Sequence, residues 1–289
     1  MKRTRGQRGQ VPAVEPPATD LRSFRRRLLR WYGQRGRALP WRSPTAAPYE
    51  RVVAEVLLQR TRAETVAAFY GRFFEKFPHW TDLANASTRQ LRSFLKPIGL
   101  WRRRATSLQK FASGVLQLGG ELPPHRGELE KLPAVGQYVA SAVLLFYHGR
   151  AEPLLDAGMA RVIERHFGPR ALADIRYDPY LQDLSRRLMR GRRPIDVNWA
   201  LLDLAALVCK TSKPQCDICP VAQTCRFALE RSPRMLGAGS SDLGPASHAA
   251  SSEGPTPRLA DHAAVSSRTE PQVRRGPGRP INSGRSRRR

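Results

Sequence analysis

The sequence has few acidic residues and lacks any long hydrophobic segment. Only 24 Asp and Glu stand against 50 Lys and Arg in its 289 residues, which gives a formal charge of +26. So many positive charges repel one another unless a polyanion neutralises them, and nucleic acid is therefore the expected partner. An anionic membrane surface is the alternative, but the chain has no apolar run of about 18 residues and no recognisable signal sequence. We expect a cytoplasmic, nucleoid-associated protein without a membrane partner.

Cysteine is also scarce, and all four cysteines lie in the segment CKTSKPQCDICPVAQTC, at Cys209, Cys216, Cys219 and Cys225. Four are too few for a disulfide scaffold in a chain of this length, but thiolates gathered from so short a span suit a soft metal. Zinc and an iron-sulfur cluster are both compatible with this ligand set. Cysteine pairs in zinc modules usually stand roughly two to four residues apart, and here only one pair does. The uneven spacing therefore favours a structural [4Fe-4S] cluster in the loop 209–225.

Strict alternation of polar and apolar residues, the pattern of a β-strand, is rare in the chain. Apolar stretches of helical length alternate instead with short Pro- and Gly-containing breaks, such as Pro97-Ile98-Gly99. Ser87 followed by Gln90 matches a capping box at the start of a helix. Residues spaced by three and four form apolar faces in two further segments: Val52, Val53, Val56, Leu57 and Ala63, then Phe69, Phe73, Phe74 and Phe77. These patterns predict an all-α fold of about ten helices.

The two ends of the chain differ in composition from its middle. Residues 1–20 mix Arg, Gly and Pro without apolar periodicity, and residues 232–289 are rich in Ser, Ala, Gly, Pro and Arg. Too few large apolar side chains are present there to offset the entropy of ordering, so we expect a disordered basic arm and a disordered basic tail around a folded domain at 21–231. The tail segment Arg275–Pro280 resembles a minor-groove AT-hook. Its charge serves either solubility or DNA binding.

Two internal segments indicate chemistry. LEKLPAVGQYVASAV, residues 129–143, places a tight turn between two helical segments, and the amide groups at such a helix start can bind a phosphate, although an ordinary helix connection has the same pattern. VVAEVLLQRT, residues 52–61, places Glu55 within an apolar run. A carboxylate in that position is either a buried acid satisfied by a partner or a functional group with a raised pKa.

The chain resembles the helix-hairpin-helix (HhH-GPD) base-excision DNA glycosylases, the superfamily of endonuclease III and MutY. The resemblance is carried by residues 39–61, by LPAVGQYVASAV at 132–143 with LLDAGMARVIERHFG at 154–168, and by the cysteine loop. It implies two helical subdomains flanking a DNA-binding cleft: a barrel at about 45–155 and an iron-sulfur subdomain at about 21–44 and 156–231. It also implies one [4Fe-4S] cluster, a monomer, and double-stranded DNA whose mismatched or damaged nucleotide is flipped into the cleft.

The resemblance assigns catalytic roles to three residues. Tyr138 occupies the hairpin position where bifunctional members carry the lysine that attacks the sugar, and a phenol cannot form that Schiff base. The enzyme is therefore expected to be monofunctional, with Tyr138 lining the pocket of the flipped base. Asp156 matches the family's aspartate after the hairpin, where it would stabilise positive charge on the sugar and also cap a helix. Glu55 would be the acid or the group that positions water, and we expect burial to raise its pKa while the helix dipole keeps Asp156 ionised.

Other residues are expected to contact DNA, and two depart from the family's pattern. Gln59, Arg60 and Thr61 would reach the opposite strand or the unpaired guanine, while the hairpin would contribute Leu132, Val135, Gly136 and Gln137. Ala134 replaces the first glycine of the hairpin, which strains the turn by about 1 kcal/mol if positive φ is needed there. Gly158 replaces an asparagine that supports the site in relatives.

The leading functional hypothesis is removal of thymine or uracil opposite guanine. The segments IGLWRRRATSL, residues 98–108, and LLDAGMARVIERHFG favour the thymine branch, and the tail does not resemble the lesion-reading domain of MutY enzymes. A MutY-type adenine glycosylase is the alternative, because the segments LPWR and AEVLLQRT fit it almost as well. A catalytically weak DNA-binding protein and an electron-transfer iron-sulfur protein are hypotheses of other classes, but the second of these leaves both carboxylates unexplained.

Overall fold

The structure, a computed structural model, describes residues 15–231. Over this range the chain forms twelve α-helices and no β-strand, which confirms the all-α prediction. The helices are α1 (Ala18–Arg35), α2 (Pro48–Leu58), α3 (Ala63–Lys76), α4 (Trp80–Asn85), α5 (Thr88–Leu95), α6 (Trp101–Gln117), α7 (Arg126–Leu129), α8 (Gln137–Phe146), α9 (Ala157–Phe167), α10 (Pro179–Met189), α11 (Pro194–Asp203) and α12 (Arg226–Arg231).

The predicted local signals are present in the structure. Ser87 caps α5, because its hydroxyl accepts from the Gln90 amide at 3.2 Å and Gln90 Oε1 accepts from the Ser87 amide at 3.0 Å. The valine, leucine and phenylalanine positions that define the two apolar faces are buried. The packed faces therefore follow the spacing of three and four residues that the sequence indicated.

The boundary predicted between the N-terminal arm, residues 1–20, and the folded domain lies too late in the sequence. Helix α1 begins at Ala18, three residues before the predicted start, and Asp20 lies in its first turn, where a negative charge is favourable. Arg187 also donates to the carbonyl of Pro16 at 2.7 Å. Residues 1–14 of the arm and the whole tail, including Arg275–Pro280, lie outside the described residues.

The helices pack in two groups that meet at the candidate site. Helix α2 is buried along most of its length and packs against α3, α6 and α8, while α4 and α5 pack against α6. In the second group α1 packs on α11, and α9 packs on α10, α11 and α12. Helix α11 also contacts α8, which joins the two groups. Among residues 15–231, none of the helices is both long and apolar enough to cross a membrane.

Candidate active site

Glu55 lies in the middle of α2 with 2% of its surface exposed. Its neighbours in the helix are buried valines, leucines and an alanine, so the carboxyl group has little access to water. Burial is the main reason that its pKa is raised to about 7, with the charge of Asp156 adding to the rise and Tyr138 and Arg42 opposing it. At neutral pH a large share of Glu55 is therefore protonated.

Tyr138 is the direct partner of Glu55. It is the second residue of α8, which packs against α2, and its hydroxyl donates to Glu55 Oε2 at 2.7 Å. Burial, together with the neighbouring carboxylates of Glu55 and Asp156, raises the pKa of Tyr138 well above its usual value, so the phenol remains a donor. The sequence placed Tyr138 against the flipped base but gave no sign of this hydrogen bond.

Asp156 is the N-cap of α9, as expected from the sequence. Its Oδ1 accepts from the amide of Met159 at 2.7 Å. Burial raises the pKa of Asp156, and the amides of Met159 and Gly158 partly oppose that rise. That Asp156 stays ionised remains a prediction. Gly158 leaves room for this carboxylate, because a Cβ at that position would stand 3.2 Å from Asp156 Oδ1 and 3.1 Å from the Cβ of Ala205.

The three predicted catalytic residues line one cavity of about 460 Å³, called here the active-site cavity. It is a concave space with an apolar wall and a few convergent polar groups, as is typical of a ligand site. Besides Glu55, Tyr138 and Asp156, its lining includes Leu39, Trp41, Leu58, Gln59, Arg60, Thr61, Trp199 and Leu202.

One wall of the active-site cavity is an ion-pair network that the sequence analysis missed. Asp203, at the end of α11, is fully buried and accepts from Arg42 at 2.7 and 3.0 Å and from Arg37 at 2.8 Å. Burial works against its ionisation, yet the two arginines hold the pKa of Asp203 below its usual value. The signal was available in NWALLDLAALVC, residues 198–209, where an aspartate interrupts an apolar run as Glu55 does.

The hairpin between α7 and α8 borders a second cavity of about 830 Å³, called here the hairpin cavity. Its lining includes Gly136, Gln137 and Tyr138 from the hairpin and Gln59 and Arg60 from the end of α2. Gly136 is the N-cap of α8, so the first amides of that helix are placed to bind an anion.

Not every predicted DNA contact reaches these cavities. Gln59, Arg60 and Thr61 line the active-site cavity, and Gly136 and Gln137 line the hairpin cavity. The Val135 side chain is buried in the core, and Leu132 packs against the core.

The four cysteines line one small cavity of about 20 Å³, which Phe227 and Arg165 also line. The Arg165 guanidinium donates to Cys209 Sγ at 3.4 Å and to the carbonyls of Lys210 and Thr211. Among residues 15–231, no group of three or more His, Cys, Asp or Glu side chains is close enough to hold a single metal ion.

Comparison with known proteins places this site in a family. The family described as "HhH-GPD superfamily base excision DNA repair protein" matches residues 53–187. The thymine-DNA glycosylase of Aeropyrum pernix is 36% identical over 212 residues, which cover 72% of this chain and 95% of the relative. The adenine DNA glycosylase of Rattus norvegicus is 34% identical over 223 residues, covering 72% of this chain and 42% of the relative.

Two solved structures share the fold. A thermostable thymine-DNA glycosylase superposes with a TM-score of 0.68 at 31% identity, covering 74% of this chain and 100% of the other. A non-covalent endonuclease III–DNA complex superposes with a TM-score of 0.61 at 25% identity, covering 75% and 99%. The chain therefore belongs to the HhH-GPD superfamily of base-excision DNA repair proteins, as a DNA glycosylase.

Proposed function

We propose that this glycosylase is monofunctional and hydrolyses the N-glycosidic bond of thymine or uracil paired with guanine, acting as a monomer on double-stranded DNA. The Aeropyrum pernix relative is a thymine-DNA glycosylase matched along 95% of its length, which supports this choice of base. The positively charged chain provides the general affinity for the phosphate backbone.

The arrangement of the two carboxyl groups supports the chemistry. Breaking the bond builds positive charge on the deoxyribose and negative charge on the departing base. Asp156, held by the Met159 amide, is the anion that would stabilise the sugar. Glu55, with a pKa of about 7, would supply a proton or position the attacking water, while the Tyr138 hydroxyl fixes its orientation.

The buried hydrogen bond between Glu55 and Tyr138 beside Asp156 is the observation that carries this proposal, and a duplex assay tests it. The purified protein is incubated with G·T, G·U, A·G and A·8-oxoguanine duplexes, and abasic sites are then cleaved with alkali. We expect thymine and uracil release, lowered at least about 100-fold in Glu55→Gln with mismatch binding retained. Glu75→Gln, an exposed change on α3, is the control. Release of no base from any duplex would contradict the glycosylase activity.

The absence of a lyase step is tested separately. Because Tyr138 offers no amine, borohydride should trap no covalent complex between the wild-type protein and DNA. Tyr138→Lys places an amine at the same position and serves as the positive control for trapping. A wild-type adduct would contradict the monofunctional proposal.

A second candidate is removal of adenine mispaired with guanine or 8-oxoguanine. It is favoured by the pKa of Glu55, because an acid that is half protonated near neutral pH can donate to a basic ring nitrogen of adenine. The same four duplexes separate the candidates, since adenine release without thymine release selects this one.

We also propose that Cys209, Cys216, Cys219 and Cys225 hold one [4Fe-4S] cluster with a structural role. All four cysteines line the same small cavity, and thiolates are the ligands that such clusters take. Iron and sulfide in equal amounts, lost in Cys216→Ser, are expected; stoichiometric zinc would contradict the proposal.

A further inference from the structure

Arg104, in the first turns of α6, is a buried arginine without a carboxylate partner among residues 15–231. It is 5% exposed. Nη1 donates to the carbonyls of Ile98 and Gly99 at 3.2 and 2.6 Å, and Nη2 donates to the carbonyl of Gln59 and to Thr61 Oγ1 at 2.9 and 2.8 Å. Each terminal nitrogen carries two hydrogens, so all four are engaged within the protein.

These hydrogen bonds hold two strained turns against each other. Arg60 has φ +59° and Leu100 has φ +49°, and both residues carry side chains that disfavour the left-handed region. Arg104 bonds to the carbonyls of Gln59 and Gly99, the residues that precede them. Such backbone strain persists only where surrounding contacts hold the conformation in place. The Arg104 guanidinium provides those contacts for both turns.

The turn fixed on the α2 side lies where three cavities meet. Gln59 and Arg60 line the active-site cavity, the hairpin cavity, and a third space of about 530 Å³ next to Leu100, Arg103 and Ala134. A ligand in any of these three cavities would therefore lie next to these two residues. Their placement depends on the backbone that Arg104 holds.

We propose that Arg104 is a positioning residue that sets Gln59 and Arg60 to read the base opposite the excised nucleotide. The inference rests on the proposed function. Arg104 also lines the third cavity, but its terminal nitrogens already donate to four protein oxygens and have no hydrogen left to donate to DNA. A planar guanidinium is suited to this role because it reaches four acceptors at once, whereas a lysine ammonium has three donors on a flexible stem.

The test compares duplexes that share the target base and differ only in its partner. Single-turnover rates on G·U and A·U are measured for the wild type, Arg104→Lys and Arg104→Met. The G·U to A·U rate ratio isolates recognition of the opposite base. We expect the ratio to fall at least about tenfold in Arg104→Met, as for the loss of a base-reading contact, and to be partly restored in Arg104→Lys. Lys110→Met, an exposed change on the same helix outside all three cavities, is the control and should leave the ratio unchanged.

A second measurement keeps the result independent of catalysis. The ratio of dissociation constants for G·T and A·T duplexes, measured by fluorescence anisotropy, should fall in the same variants. If the wild type releases no uracil, the proposed function is wrong, but the ratio of dissociation constants still tests the positioning role of Arg104. Should Arg104→Met fail to fold, Arg104→Lys alone carries the test and should lower both ratios to a smaller extent. Unchanged ratios in folded variants, even with a slower rate, would overturn the proposal.

Discussion

At the scale of single residues, the protonation state of Glu55 links activity to stability. Its pKa rises from 4.5 to about 7 on folding because the carboxyl group is buried. A raised pKa means that the stabilising contribution is complete below about pH 4.5 and is lost as the pH rises through 7. Since one pKa unit corresponds to about 1.4 kcal/mol, ionising Glu55 in the folded chain costs on the order of 3 kcal/mol.

Glu55→Gln should therefore stabilise the protein above neutral pH while it abolishes base release. We expect a higher melting temperature than the wild type at pH 8, and a difference close to zero at pH 5, where the native glutamate is already neutral. Thermal unfolding at the two pH values checks this. A variant that is less stable than the wild type at both values would show that the carboxylate is not destabilising.

The sequence revealed Glu55 but not its partner. A carboxylate within an apolar run is visible by pattern, whereas its hydrogen bond to Tyr138 joins residues 83 positions apart and depends on how α2 packs against α8. The same limit applies to Asp203, whose arginine partners lie 161 and 166 positions earlier. Local pattern identifies the charged residue, and only tertiary packing identifies what satisfies it.

At the scale of elements, the hairpin carries strain at Ala134. Its φ of +65° lies in the left-handed region, so the condition under which the sequence predicted strain at this position is met. The conformation costs about 1–2 kcal/mol for a residue with a Cβ. Glycine would relieve this strain, but its greater conformational entropy in the unfolded chain offsets part of the gain. Ala134→Gly should therefore raise the free energy of unfolding by up to about 1 kcal/mol, measured by urea denaturation. No gain, or a loss, would show that the turn does not hold this strain.

The ion-pair network fixes the segment 37–42 to the end of α11. Removing one member of a buried pair leaves uncompensated charge, so Asp203→Asn should lower the free energy of unfolding by about 3 kcal/mol. The exposed pair between Arg226 and Glu230 is the control, and Glu230→Gln should change stability by less than about 1 kcal/mol. Equal effects in the two variants would mean that burial does not strengthen the Asp203 network.

Helices were easier to predict than the turns that join them. The apolar spacing and the capping box at Ser87 gave the elements, because both depend on neighbours within four residues. Arg60 and Leu100 adopt positive φ without being glycine, and nothing in their sequence marks this. Arg104 holds both turns through the carbonyls of Gln59 and Gly99. It lies 44 residues after Arg60, so a local pattern cannot reveal this contact.

At the scale of the whole molecule, the charge of +26 predicts strongly salt-dependent DNA binding. If the basic tail contacts phosphates, deletion of residues 233–289 should lower non-specific affinity and reduce the slope of log affinity against log salt. The measurement is a titration of an undamaged duplex at several salt concentrations. An unchanged slope would mean that these residues do not contact the backbone, and that their charge serves solubility.

The Asp203 network also has a consequence for the timing of synthesis. The wall of the active-site cavity joins Arg37, near the start of the chain, to a carboxylate 166 residues later, and Glu55 and Asp156 lie between them. Helix α11 must therefore be synthesised before the helices that precede it can form a complete active-site cavity. Translation products that stop before Asp203 contain Glu55 and Asp156, the two carboxyl groups proposed to be catalytic, but lack this wall. Such incomplete chains are therefore not expected to release bases from DNA.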